Sequence, residues 1–172
     1  MDFQTLLDRA WAAHRNNWRY VLGAKPNPHR GPMAQDCDCT GYLWWISGRK
    51  QTAKLNTDAF GPRIAGPRVG AAVWHDPRPP AKFGHAGLVV KVWPDGNFDT
   101  LDCSSTDPAA RGGAIRHLVR SADKWSKPGS PAVFRMPATV NYQRAALGFG
   151  ALAAAAGVGW LAWRWARGRK PA

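Results

Sequence analysis

Glutamate is missing from this 172-residue chain, so all eleven acidic residues are aspartates, set against 24 lysines and arginines. The formal net charge is therefore +13. A surface so short of acid attracts polyanions: nucleic acid, anionic lipid, or the teichoic acids and lipopolysaccharide of bacterial envelopes. The basic residues are scattered, however, and only the last few form a run, so nucleic acid is not the expected partner. Cysteine is scarce too. Cys37, Cys39 and Cys103 are too few for a disulfide scaffold, and their odd number leaves at least one thiol free unless it pairs between chains. No internal repeat is visible, and Met1 to Tyr20 lacks the apolar run of a secretory leader.

What is present argues for one α+β domain. Fourteen prolines and 18 glycines speak against a helical bundle and for a loop-rich fold containing sheet. Phe3, Leu6, Leu7, Ala10 and Trp11 recur at helical spacing, which predicts an amphipathic helix from Asp2 to Arg19. A loop over 23–36 follows, then a short helix from Cys39 through Ile46 with Gly48 as its stop signal. Residues 49–68 read as irregular. Ala72–Trp74, His85–Trp93 and Phe98–Asp102 read as strands, the last two joined by the turn Pro94-Asp95-Gly96-Asn97. A final strand is expected at Ala132–Met136. Helices first and sheet after define an α+β domain over 1–138.

A linker at 139–144 leads to Ala145–Trp163, a stretch of 19 residues without a charge. At about 1.5 Å of rise per residue, a helix of this length spans the hydrocarbon core of a bilayer. Trp160, Trp163 and Trp165 cluster at one end, where indoles favour the interface, and 164–172 form a basic tail. The expectation is a single-pass membrane protein whose domain faces outward.

Two short motifs carry chemistry. Asp38-Cys39-Thr40-Gly41 opens the second helix, so the Cys39 thiol sits over the positive end of the dipole, which favours its thiolate. A thiolate nucleophile needs a base, and the base needs an orienting group. Gly84-His85-Ala86-Gly87 begins the strongest strand, 46 residues after Cys39, with small neighbours around His85. Asp102 shares the parity of His85 on the next strand. A simple hairpin centred on Asp95-Gly96 would set His85 opposite Thr106, so a bulge or longer turn is needed to bring Asp102 to it. Ser104 and Asp107 are substitutes for the orienting role. His75 ends a strand before Asp76-Pro77 and reads as a surface residue. No cofactor is implied, and Cys37-x-Cys39 lacks the second close pair that a zinc site needs.

Tyr20-Val21-Leu22-Gly23-Ala24, Asp38-Cys39-Thr40-Gly41 and Gly84-His85-Ala86-Gly87-Leu88-Val89-Val90 together resemble the NlpC-like cell-wall peptidases and the related cysteine- and histidine-dependent amidohydrolase/peptidases. The resemblance spans about residues 18–105. It implies a papain-like fold with N-terminal helices on an antiparallel sheet. It further implies Cys39 as nucleophile, His85 as base, Asp102 as orienting residue, and Tyr20 in the substrate and oxyanion region. The expected activity is cleavage of amide bonds in bacterial peptidoglycan, in a phage-associated or virion-associated setting of lysis or entry, with anionic wall polymers as further partners. A non-enzymatic basic membrane protein that binds DNA or anionic lipid is the competing expectation.

Overall fold

The computed structural model describes residues 1–16, 18–27, 29–48, 61–78, 82–104 and 115–140. The expected membrane segment 145–163 and its tail lie outside the described residues. Among those described, no helix is long and apolar enough to cross a membrane.

Helix α1 runs from Phe3 to Arg15. Asp2 caps it by accepting from the Thr5 amide at 2.8 Å, which satisfies one of the amides that a helix start leaves unpaired. It stops four residues short of the expected Arg19, which instead joins Tyr20 in the short strand β1 (Arg19–Tyr20). β1 runs parallel to β2 (Asp36–Cys37), and the Arg19 guanidinium donates to both carboxylate oxygens of Asp36, at 2.8 and 3.1 Å. Helix α2 (Cys39–Ile46) follows at once.

The remaining strands are β3 (Arg63–Ile64), β4 (Ala72–His75), β5 (His85–Val92), β6 (Phe98–Cys103), β7 (Ile115–Leu118) and β8 (Val133–Arg135). Helix α3 (Ala122–Trp125) lies between β7 and β8. The six strands form one sheet in the order β3-β8-β4-β5-β6-β7, every pairing antiparallel, so the fold is α+β. β3 falls inside the stretch that sequence alone reads as irregular.

Side-chain alternation gives the sheet two covered faces. Ala72, Ala86, Leu88, Leu101 and Cys103 pack with the buried faces of α1 and α2. Val73, Val89, Phe98 and Phe134 point the other way and pack with Trp125 of α3. Trp44 and Trp45 are buried in the first layer.

The β5–β6 hairpin supplies the register correction that the sequence calls for. Trp93 donates its amide to the Asn97 carbonyl at 2.8 Å, closing the turn with Val92 opposite Phe98. Val90 is then skipped in the ladder as a bulge, so Val89 pairs with Thr100 and Leu88 with Leu101. Carried on, this register sets Gly87 opposite Asp102 and His85 one diagonal step away, a distance that long side chains bridge. Beyond Leu88 and Leu101 the two strands pair only with their outer neighbours: His85–Gly87 with β4, and Asp102–Cys103 with β7. The sheet is thus open between β5 and β6 at this end.

Candidate active site

Cys39 is the first residue of α2, and the Asp38 side chain caps that helix. One Asp38 oxygen accepts from the Gly41 amide at 2.6 Å and from the Thr40 hydroxyl at 2.8 Å. The other accepts from the Gly23 amide at 3.1 Å, tying the preceding loop to the helix start. Asp38, Thr40 and Gly41 therefore each help hold Cys39 at the helix tip. Its side chain belongs to the layer of α1 and α2, whereas His85 and Asp102 rise from the opposite face of the sheet. At the open end between β5 and β6 the Ala86 amide donates to the Cys39 sulfur, which also feels the charge of Asp102. Ala86 is the residue next to His85, so the thiol lies beside the histidine's own peptide.

His85 Nε2 donates to Asp102 Oδ2 at 2.5 Å. An ionised carboxylate only accepts, so Nε2 carries a proton, and in the neutral ring Nδ1 keeps the lone pair. Asp102 is fully buried. Burial would raise its carboxyl, but the hydrogen bond and charge of His85, and then those of Lys124, outweigh this and hold it below the ordinary carboxylate range. The small residues around His85 have steric reasons. A Cβ at Gly84 would lie 2.3 Å from the His75 carbonyl oxygen, and one at Gly87 would lie 2.9 Å from the Trp125 ring.

The thiol does not follow the dipole argument. Burial pushes the Cys39 thiol up to about 11, and the neighbouring Asp38 charge adds to this; the amides of Ala86 and Thr40 pull it back only in part. With 8% of Cys39 exposed, the sulfur rests as a neutral thiol. A nucleophilic role for this sulfur would therefore need a base to take its proton, since no thiolate is held in advance.

Tyr20 reaches the site through the β1–β2 ladder, paired with Cys37. Its hydroxyl is raised by burial and then by the charges of Cys39 and Asp38, so it stays protonated at neutral pH and can donate. Cys37 and Cys103 are both fully buried, with sulfurs 2.7 Å apart. Ser104 is buried, but Asp102 makes the bond to His85. Asp107 lies outside the described residues.

Three contacts were not legible in the sequence. Trp125, fully buried, stacks on the His85 ring with centroids 5.3 Å apart and planes 7° from parallel. Lys124 donates to Asp102 Oδ2 at 2.7 Å. His75 corrects the surface reading: it is half-buried in β4 opposite His85, its ring 5.6 Å from Trp125. Burial lowers it, and its Nδ1 lies 2.8 Å from the Asp76 carbonyl. The only available signal was a Lys-Trp pair in a stretch without periodicity. Among the described residues no group of His, Cys or Asp is arranged to hold a metal. No family model matches the chain, and no curated protein does.

Proposed function

We propose that this protein is a thiol hydrolase of papain-like plan that cleaves amide bonds in the stem peptide or cross-bridge of bacterial peptidoglycan. One observation supports the chemistry: His85 is held by Asp102 through Nε2, which leaves Nδ1 as the candidate base, and the Cys39 sulfur accepts from the amide of the adjoining Ala86. The substrate class rests on the resemblance of Asp38-Cys39-Thr40-Gly41 and Gly84-His85-Ala86-Gly87 to cell-wall peptidases.

In this reading His85 Nδ1 takes the Cys39 proton as the sulfur attacks the scissile carbonyl carbon. The developing oxyanion is met by donors at the helix tip, with the protonated Tyr20 hydroxyl as one candidate. The tetrahedral adduct collapses, His85 returns the proton to the leaving amine, and a thioester remains on Cys39. Water, deprotonated by the same nitrogen, then releases the new carboxylate and restores the thiol. Asp102 keeps the ring in the required tautomer throughout.

The apolar segment 145–163 would tether the domain to a membrane, with the cationic surface holding it against anionic wall polymers. A phage-associated role in lysis or entry suits that arrangement. The test is digestion of purified peptidoglycan by the full chain, with mass analysis of the products. Cys39→Ala is expected to abolish new amine termini and carboxylates. Digestion that persists in Cys39→Ala would overturn the proposal. A wild-type chain that cuts nothing but binds anionic vesicles or DNA in a salt-sensitive way would instead favour the non-enzymatic reading that its +13 charge suggests.

A further inference from the structure

We propose that Lys124 is a positioning residue of this centre: its ammonium shares Asp102 Oδ2 with His85, fixing the carboxylate against the imidazole and opposing an additional positive charge on the dyad. The inference rests on the reading of Cys39, His85 and Asp102 as a hydrolytic site and adds a fourth, charged member to it.

The geometry is one-sided. Asp102 is fully buried, and its Oδ2 receives both His85 Nε2, at 2.5 Å, and Lys124 Nζ, at 2.7 Å. Its Oδ1 is buried with no hydrogen-bond partner among the described residues. Histidine and lysine therefore draw on one oxygen while its twin is idle. With a neutral imidazole, the buried carboxylate and the partly exposed ammonium offset one another. Protonating the ring would set a second positive charge against the one buried carboxylate, close to the ammonium that already shares it.

Lys124 is not a wandering surface side chain. Arg78 clamps its backbone, donating to the Lys124 carbonyl at 2.7 Å, the Trp125 carbonyl at 2.5 Å and the Ser130 carbonyl at 3.2 Å. The next residue, Trp125, is the ring stacked on His85. One short helix thus delivers both a flat wall for the imidazole and a cation for its carboxylate. Other charged or titratable groups come from the neighbouring elements, and Arg116 of β7 stands directly opposite Asp102 in the ladder, a second cation near the dyad. His75 comes from β4, with its ring 6.2 Å from that of His85; burial keeps it neutral. Cys39 comes from α2 and is likewise neutral at rest. Arg78 spends its guanidinium on α3 carbonyls and Ser130. Lys124 is bonded to Asp102 directly, at 2.7 Å.

The experiment follows the dyad's proton directly, by the histidine ring resonances of the substrate-free full chain across pH, in wild type, Lys124→Gln and Lys124→Arg. Gln keeps a donor for Asp102 and removes the charge; Arg keeps both. In Lys124→Gln the dyad is expected to take up its proton at a pH higher by about half a pH unit to one pH unit. In Lys124→Arg it should return close to wild type. The acid limb of the peptidoglycan-digestion profile should move by the same amount, with kcat lowered more than KM is raised. If Lys124 served only to pack α3, its loss would loosen Asp102 from His85, and proton uptake would stay unchanged or move to lower pH; either result overturns the proposal. Lys124→Met repeats the measurement should the Gln variant fold poorly. The resonance readout needs no substrate, so a chain that digests no wall still tests Lys124, while a digesting chain with an unmoved dyad refutes Lys124 alone.

Discussion

The Cys39 sulfur is pulled in two directions by the residue that caps its helix. Asp38 completes the hydrogen bonding of the helix start, through the Gly41 amide, yet its carboxylate charge lies beside the thiol and raises it. Desolvation acts in the same sense and more strongly, which is why a helix tip alone does not produce a thiolate here. The consequence is measurable. Alkylation of Cys39 by iodoacetamide should quicken about tenfold per pH unit through the neutral and mildly alkaline range, levelling only near the thiol's own value of about 11. A rate already flat at neutral pH would mean that the dipole and His85 outweigh burial. The placement of Cys39 at the helix start was legible because Asp, Cys, Thr and Gly each have a local reason to stand in that order. The protonation state was not, because burial is set by β5 and β6, far away in the chain.

Elements were legible where a pattern repeats. α1 has its apolar spacing, α2 its cap and buried run, and β4, β5 and β6 their β-branched and aromatic residues between turn signals. β1, β2 and β3 hold two residues each, too few for any period to register. β7 lacks alternation, and α3 is a single turn of four residues whose N-cap Ser121 makes no side-chain capping bond, so the contacts of Lys124 and Trp125 come only from the fold. The hairpin parity was readable, and the bulge at Val90 is the device that the mismatch demanded. A contact between distant elements also decides the fate of the odd cysteine. Cys37 ends β2 and Cys103 ends β6, with their sulfurs 2.7 Å apart across 66 residues of chain. Treatment with diamide should remove their two thiol hydrogens and join them, leaving Cys39 the single thiol that iodoacetamide labels after unfolding. Closing a loop of that length should stabilise the fold by about 4 kcal/mol on the chain-entropy account, read as a higher urea midpoint. Two or more labelled cysteines after oxidation would rule this pairing out.

At the scale of the whole molecule the missing glutamate becomes a stability problem. Twenty-four basic residues are balanced by aspartates alone, and two of those aspartates are built into the sheet. Asp99 accepts from the Trp93 indole at 2.6 Å, from the Arg120 amide at 3.0 Å and from His117 at 3.2 Å. Burial works to raise its carboxyl, but these bonds together prevail and hold it below its ordinary value. Asp102 is lowered in the same way by His85 and Lys124 against its burial. A carboxyl that is lowered on folding binds fewer protons in the folded chain than in the unfolded one. Its stabilisation is therefore complete above the unfolded value, about 3.9, and is lost as pH falls through the folded value. Protonation of the exposed aspartates in the same range leaves the cations uncompensated and adds self-repulsion, so the two effects share a sign. The urea midpoint should be level near neutrality and fall steeply below about pH 4. Asp99→Asn separates the causes. It removes one titrating bond network and one negative charge, so the variant should be less stable than wild type at neutral pH and show a shallower acid decline, with the two curves drawing together at the lowest pH. Parallel curves would assign the acid sensitivity to general repulsion and deny Asp99 its share.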